Sequence, residues 1–285
     1  MGVNHELTKM QWGTDRHLYF GERTLVMGII NCTPDSFYPG SRKTSIAEAV
    51  GAARSMIVAG ADVIDIGGES TRPGSSFVDS DEEIARVVPV IEAIRKESDV
   101  AISVDTRKTL VADQALNAGA DIINDVSALR DDPELAGLIA SRKVPVILMH
   151  MLGTPKTMQK APVYHDPVEE VRGWLLARAE FAKASGISSD LIIIDPGIGF
   201  GKRLEDNLQL IRHSAALCQL GFPVLMGMSR KSYISAVLDI PVEDRLSASI
   251  ASGAYCVTQG VQILRVHDVP ETVQLVKILS AIQRA

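Results

Sequence analysis

The sequence predicts an α/β fold, a single (β/α)8 TIM barrel, on three observations. Eight short apolar runs rich in β-branched residues recur along 285 residues, amphipathic segments separate them, and a glycine stands shortly before five of the runs. The runs occupy residues 25–30, 63–66, 101–104, 121–123, 144–149, 191–194, 224–228 and 263–266. None alternates strictly with polar residues, so both faces of each strand are covered, as in a parallel sheet. Their ends recur at a mean spacing of about 33 residues, the size of one βα unit.

Taken in order, residues 12–24 hold a glycine-bounded Leu-Tyr-Phe run, expected to form a hairpin closing the barrel bottom. The chain then divides into an extension, 1–24, and a barrel, 25–285. Connections 33–44 and 67–80, after the first two strands, are long and rich in Pro, Gly and Ser, and read as mobile lids. Helical periodicity marks residues 45–59, 81–96, 166–185 and 248–258. Gly60, Gly119, Gly186, Gly221 and Gly260 read as helix C-caps, because a residue without a side chain enters the left-handed region cheaply. Ala-Gly-Ala-Asp occurs at 59–62 and again at 118–121, a weak internal repeat. A doubly wound open sheet is the structural alternative. It wants a glycine-rich phosphate turn after the first strand, where this chain has Asn31-Cys32-Thr33-Pro34.

The charge balance, 29 Lys+Arg against 35 Asp+Glu, gives −6 and argues against general nucleic-acid binding, which needs a basic footprint. An anionic substrate therefore requires a local cluster of positive charge. Cys32, Cys218 and Cys256 are scattered, without a Cys-x-x-Cys pair, so neither a disulfide framework nor a zinc site is expected, and a reducing cytoplasm suits them. Residues 1–10 lack the apolar stretch of a signal peptide, and no apolar run approaches membrane-spanning length.

In (β/α)8 enzymes the chemistry sits at the C-terminal ends of the strands. Here those ends carry Asn31; Asp65 followed by Gly67-Gly68-Glu69; Asp105; Asn124-Asp125; His150; Asp195; Ser229-Arg230-Lys231; and Arg265 with His267. One such residue reads equally well as a helix cap or a core hydrogen bond, but eight converging on one rim read as a site. Asp105, Asn124 and Asp195 suit a flat nitrogen heterocycle with several N–H donors. Arg72, Lys202, Arg230, Lys231, Arg265 and His267 offer positive charge for phosphate or carboxylate. Lys231 also suits a Schiff base, although Arg230 beside it fits anion binding equally well. The string Gly197-Ile198-Gly199-Phe200-Gly201-Lys202 fails as a nucleotide-hydrolysing loop, since its glycine spacing is wrong and Arg203 follows the lysine. His150 reads as a satisfied core group.

The motifs Asn31-Cys32-Thr33-Pro34-Asp35-Ser36-Phe37, Gly67-Gly68-Glu69-Ser70-Thr71-Arg72-Pro73-Gly74, Ser103-Val104-Asp105-Thr106, Ile123-Asn124-Asp125, Met149-His150-Met151, Asp195-Pro196-Gly197, Gly227-Met228-Ser229-Arg230-Lys231-Ser232 and Arg265-Val266-His267-Asp268 follow one another along the barrel. Together they resemble the dihydropteroate synthase family across nearly the whole chain. The resemblance implies a dimeric (β/α)8 barrel that condenses 6-hydroxymethyl-7,8-dihydropterin diphosphate with 4-aminobenzoate, giving 7,8-dihydropteroate and diphosphate.

It further implies that Asp105, Asn124, Met149, Asp195, Phe200 and Lys231 surround the pterin, and that Asn31, Arg265 and His267 serve the diphosphate, with Asn31 near Mg²⁺. Phe37, Thr71, Arg72, Pro73, Ser229 and Arg230 fall on the loop and aminobenzoate side. Asp105, Asp195, Lys231, Arg265 and His267 form the implied catalytic set. Small-molecule substrates, a homodimer, a cytoplasmic location, sulfonamide binding, and no nucleic-acid or membrane partner complete the expectation. Cys32 and Ile198 depart from the family pattern and imply packing differences only. The rival readings are a methyltetrahydrofolate methyltransferase barrel, which needs no diphosphate site, and a catalytically silent pterin-binding paralogue.

Overall fold

The computed structural model describes residues 8–32, 42–71, 74, 75 and 77–285, with side chains in the first helix from residue 46 onward. Two strands, β1 (Thr8–Trp12) and β2 (Arg16–Phe20), precede the barrel. It then alternates β3 (Leu25–Asn31), α1 (Arg42–Ala59), β4 (Val63–Gly67), α2 (Ser80–Glu97), β5 (Ala101–Asp105), α3 (Thr109–Asn117), β6 (Ile122–Asp125) and α4 (Leu135–Arg142). The second half continues with β7 (Val146–Met149), α5 (Pro167–Ala184), β8 (Ile192–Asp195), α6 (Leu204–Arg212), α7 (Ser214–Cys218), β9 (Leu225–Met226), α8 (Ser232–Leu238), α9 (Leu246–Thr258), β10 (Ile263–Val266) and α10 (Val269–Arg284).

Strands β3 to β10 form one parallel sheet in the order β8-β7-β6-β5-β4-β3-β10-β9, and a parallel bridge between Ile194 and Val224 brings its two edges together. This is the expected barrel. Every residue of β4, β6, β7 and β8 is buried, which explains why those runs carry no polar alternation. The run expected at 224–228 is a strand only at Leu225–Met226. The chain turns at Met228, whose carbonyl accepts the Lys231 N–H, and so leaves the ladder early.

All five predicted glycine caps have φ between +83° and +109°. Helix α4 ends the same way with Lys143 at φ +52°, a cap that composition does not announce. The short repeat also has a structural meaning. Asp62 donates its N–H to the Val26 carbonyl and accepts the Val26 N–H on its carboxylate; Asp121 does the same with Ile102. Each aspartate thus closes the N-terminal end of a neighbouring strand.

At that bottom end the β1–β2 hairpin buries Met10, Trp12, Leu18 and Phe20 in the core. The Trp12 indole donates to Asp121 at 3.2 Å, and the same carboxylate receives Arg95 at 2.5 Å and faces Arg16 at 3.4 Å. Asp121 therefore joins hairpin, helix and strand. Asp121→Ala removes the shared acceptor of Arg95 Nη2, the Trp12 indole and the Ile102 N–H, and is expected to cost about 3 kcal/mol in urea unfolding. Asp121→Asn, which keeps an acceptor, is expected to lose less.

Candidate active site

The inward-facing residues near the C-terminal ends of the strands change from aliphatic to polar, and they open onto one cleft. Asp105 closes β5, Asn124 lies in β6, Met149 ends β7, Asp195 ends β8, and Arg265 lies in β10. These five, with Thr71, Phe200 and Lys231 from the connecting loops, line a cleft of about 330 Å³, mouth included. The whole expected pterin set, with Arg265 and Thr71, is therefore brought together. Val126, Gly197, Ile198 and Gly227 complete the lining. Ile198 was expected to matter only for packing, and its place in the wall is an addition to the site.

Two of the lining residues, Asp105 and Arg265, belong to an ion-pair network with Asp65 behind them. Arg265 donates from Nε to Asp65 at 2.6 Å and from Nη2 to Asp105 at 2.8 Å, so β10 reaches across β3 to hold β4 and β5. The flanking carboxylates keep the guanidinium protonated well beyond the ordinary arginine range despite its burial. Burial, opposed by Arg265 and reinforced by Asp65, pushes the Asp105 carboxyl up to about 7. Asp195 is also raised by burial, while one oxygen accepts the Gly197 N–H at 2.7 Å. Lys231 lies 4.2 Å above the Phe200 ring, and burial followed by the Arg265 charge lowers it to about 8. The cleft floor is thus a mixed set of acceptors and two cations, not a basic patch.

That arrangement corrects the expectation of positive charge gathered on one rim. Arg230 is forked onto Asp268 at 2.9 and 2.6 Å, with its own backbone at φ +57°. Lys202 turns inward. Its buried ammonium donates to the carbonyls of Gly197 at 2.9 Å and Phe200 at 3.0 Å, and meets His150 Nδ1 at 2.9 Å. The glycine-rich string is therefore a loop wound around its own lysine. Gly197 has φ +66°, and a Cβ there would stand 2.0 Å from the His150 carbonyl oxygen. Asp125, expected at the rim, instead folds back onto the N–H groups of Ser127 and Leu129.

Of the remaining expected residues, those that the structure describes do not line the cleft. Asn31 is exposed at the end of β3. His267 is exposed, with Nδ1 3.1 Å from Ser229 Oγ, and desolvation followed by the Arg265 charge lowers its pKa, favouring the neutral ring. Ser229 is itself buried against His267, so it does not present an open surface for an aminobenzoate ring. Phe37, Arg72 and Pro73 lie outside the described residues. The second expected lid is anchored at its base, because Glu69 accepts Arg107, Lys108 and the Val78 N–H, tying its start to its end. The residue that sequence reasoning left without a role is Asp65. A carboxylate inside an otherwise apolar run of strand length was the signal for it.

A cleft lined by acceptors on a (β/α)8 rim suits a flat ring rich in N–H donors, and the class is given by the family model described as "Pterin binding enzyme", which matches residues 27–267. The dihydropteroate synthase of Synechocystis is 44% identical over 93% of this chain and 92% of its own length. That of Escherichia coli K12 is 45% identical over 90% of each. Among solved structures, Xanthomonas albilineans dihydropteroate synthase with 4-aminobenzoic acid superposes with a TM-score of 0.89 at 44% identity, covering 95% of this chain and 96% of that one. The Yersinia pestis enzyme with a sulfonamide drug gives 0.90 at 43%, covering 96% and 100%. The chain belongs to the pterin-binding enzyme family and, within it, to the dihydropteroate synthases, which are transferases.

The Lys202–His150 pair makes stability depend on pH. Burial, then the charge of Lys202, lowers His150 to about 2 from the ordinary 6.5, so the native state binds fewer protons than the unfolded chain between those values. Unfolding free energy is therefore expected to fall as pH drops below 6.5. In His150→Gln, whose amide oxygen still accepts from Lys202, the fall between pH 6.5 and about 4 should be shallower, as read from urea midpoints.

Proposed function

We propose that this chain condenses 6-hydroxymethyl-7,8-dihydropterin diphosphate with 4-aminobenzoate to 7,8-dihydropteroate and diphosphate. The observation that carries the reading is the single cleft in which Asp105, Asn124, Asp195 and Lys231 converge. Asp105, Asn124 and Asp195 offer acceptors spaced around one small opening, as the N–H edge of a pterin requires. Met149 and Phe200 pack the ring faces, and Lys231 is the donor among them.

Breaking the substrate C–O bond leaves negative charge on diphosphate and a methylene cation delocalised into the pterin. The Asp105 and Asp195 carboxylates favour that cation from within the cleft, a preorganised stabilisation that water cannot match. Arg265, which lines the cleft beside them, and His267 and Asn31, both exposed, serve the departing diphosphate. The arylamine nitrogen then forms the C–N bond to the methylene, and the proton it loses passes to solvent or to the departing diphosphate. Phe37, Thr71, Arg72, Pro73 and Arg230 are assigned to the aminobenzoate side, and Ser229, expected there as well, is assigned to holding the His267 ring.

Mg²⁺ fits this assignment in donor chemistry. Among the described residues no cluster of three carboxylates, histidines or cysteines forms a protein cage, and Asn31 offers one exposed hard oxygen at the rim. A magnesium ion held mainly by substrate phosphates needs little more from the protein, and when bound it neutralises charge on the leaving group. We further assign a homodimer, supported by exposed Leu208, Val237, Leu238, Val242 and Tyr255 on the adjoining α6, α8, α9 and the turn Val242–Arg245. A cytoplasmic location is supported by three free cysteines. No described helix is long and apolar enough to cross a membrane. A sulfonamide is expected to compete with 4-aminobenzoate.

The decisive assay is diphosphate release from the dihydropterin substrate. It is expected to require both 4-aminobenzoate and Mg²⁺; release without the arylamine, or none with it, removes the synthase reading and admits its rivals. Asp195→Asn should lower kcat by about a hundredfold, and full turnover would refute the electrostatic role. The alkaline limb of the rate profile should begin near pH 8, where Lys231 loses its proton. Lys231→Arg keeps the charge and should abolish that limb while lowering the rate.

A further inference from the structure

Asp65 takes no part in the chemistry proposed above and does not line the cleft, yet it contacts two groups that do. It lies in the middle of β4 and is fully buried, while its neighbours Ile64 and Ile66 are apolar. Arg265 Nε donates to its Oδ2 at 2.6 Å. Asn124 Nδ2 lies 3.2 Å from Oδ2 and 3.4 Å from Oδ1.

A carboxylate paired with a guanidinium offers acceptors only. The Asn124 amide must therefore turn its NH₂ toward Asp65, and its carbonyl oxygen is left for the other side. Reversing the amide would set two oxygens against each other in a buried place, at the cost of an unmet acceptor. Asp65 thus decides which end of Asn124 the cleft receives. It also fixes the guanidinium plane of Arg265, whose Nη2 then reaches Asp105 at 2.8 Å.

We propose that Asp65 is a positioning residue for heterocycle specificity. By orienting Asn124 and Arg265 together it makes the cleft floor an acceptor surface that selects a ring edge rich in N–H donors. This rests on the pterin reading of the cleft. It adds that the donor-acceptor polarity of Asn124 is imposed from the layer below and is not intrinsic to that residue.

The test uses the purified full-length chain and four variants: Asp65→Asn, Asn124→Ala, the double Asp65→Asn/Asn124→Ala, and the exchange Asp65→Asn/Asn124→Asp. Binding of 6-hydroxymethylpterin is read by calorimetry, and KM for both substrates by diphosphate release. Asp65→Asn is expected to weaken pterin binding and raise the dihydropterin KM about tenfold, with the 4-aminobenzoate KM unchanged.

In the Asn124→Ala background the same substitution should have a much smaller effect, since part of its route of action is gone. The exchange restores one carboxylate, one amide and an acceptor facing the cleft, and should recover most of the lost affinity. An unchanged pterin affinity in Asp65→Asn, equal effects in both backgrounds, or an exchange no better than Asp65→Asn would each overturn the assignment. Thermal melting separates loss of fold: if Asp65→Asn does not fold, the exchange carries the test, and failure of both to fold reduces Asp65 to a stability role. Wild-type protein that binds pterin but releases no diphosphate refutes the synthase reading while leaving this inference testable.

Discussion

The pairing of Arg265 with Asp65 and Asp105 is the constraint on which the upper half of the barrel depends. Strand side chains alternate between the axis and the outer helices, and at little electrostatic cost the inward positions below this level are filled by aliphatic side chains such as Met27, Val63, Ile122, Ile147 and Ile263. To present acceptors to a ligand the barrel has to bury carboxylates, and an isolated buried carboxylate takes up a proton. One guanidinium spanning β10, β4 and β5 offsets two of them. The compensation is incomplete, since Asp105 is still pushed up to about 7, and that residue faces the cleft where a ligand can supply further donors.

The second support is a loop that stabilises itself. Residues 197–201 follow β8 with positive φ at Gly197, Gly199 and Gly201, and the conformation turns several carbonyls toward one centre. A phosphate loop turns N–H groups inward and binds an anion; this loop turns carbonyl groups inward and takes Lys202. The same glycine content therefore serves the opposite polarity. The consequence reaches the cleft, because Phe200 is carried on that loop and lies against Lys231.

The fold was legible in the sequence because its signals are local. Runs buried on both faces, glycines in the left-handed region, and a spacing of about 33 residues each depend on a short window of chain. The candidate site was legible as far as strand ends go, since register fixes which residue emerges at the rim. What sequence could not supply was pairing. Arg265 and Asp65 are 200 positions apart, and nothing local distinguishes a cation held by a carboxylate from one open to a ligand. Hence Arg230, Lys202 and Arg265 all read as anion-binding charge, although Asp268, backbone carbonyls and two aspartates engage them. The shortened β9 was hidden for a similar reason: Gly227 and Met228 continue the apolar run while the backbone has already turned.

This pairing bears on how a chain of net charge −6 would handle a substrate carrying a diphosphate. Under the proposed assignment the two halves of that substrate have opposite needs. The pterin side develops positive charge and belongs where Asp105 and Asp195 are buried. The diphosphate side develops negative charge and belongs at the mouth, where Asn31 and His267 are exposed and solvent and a metal ion share the charge. Arg265 lies at the boundary, already tied to the inner carboxylates. A basic cleft would hold the diphosphate more tightly in the ground state and oppose the cation, whereas an acceptor floor beneath a polar mouth favours charge separation along the breaking bond. The near cancellation of charge in the cleft is, on this reading, what places stabilisation in the transition state and leaves the product free to depart.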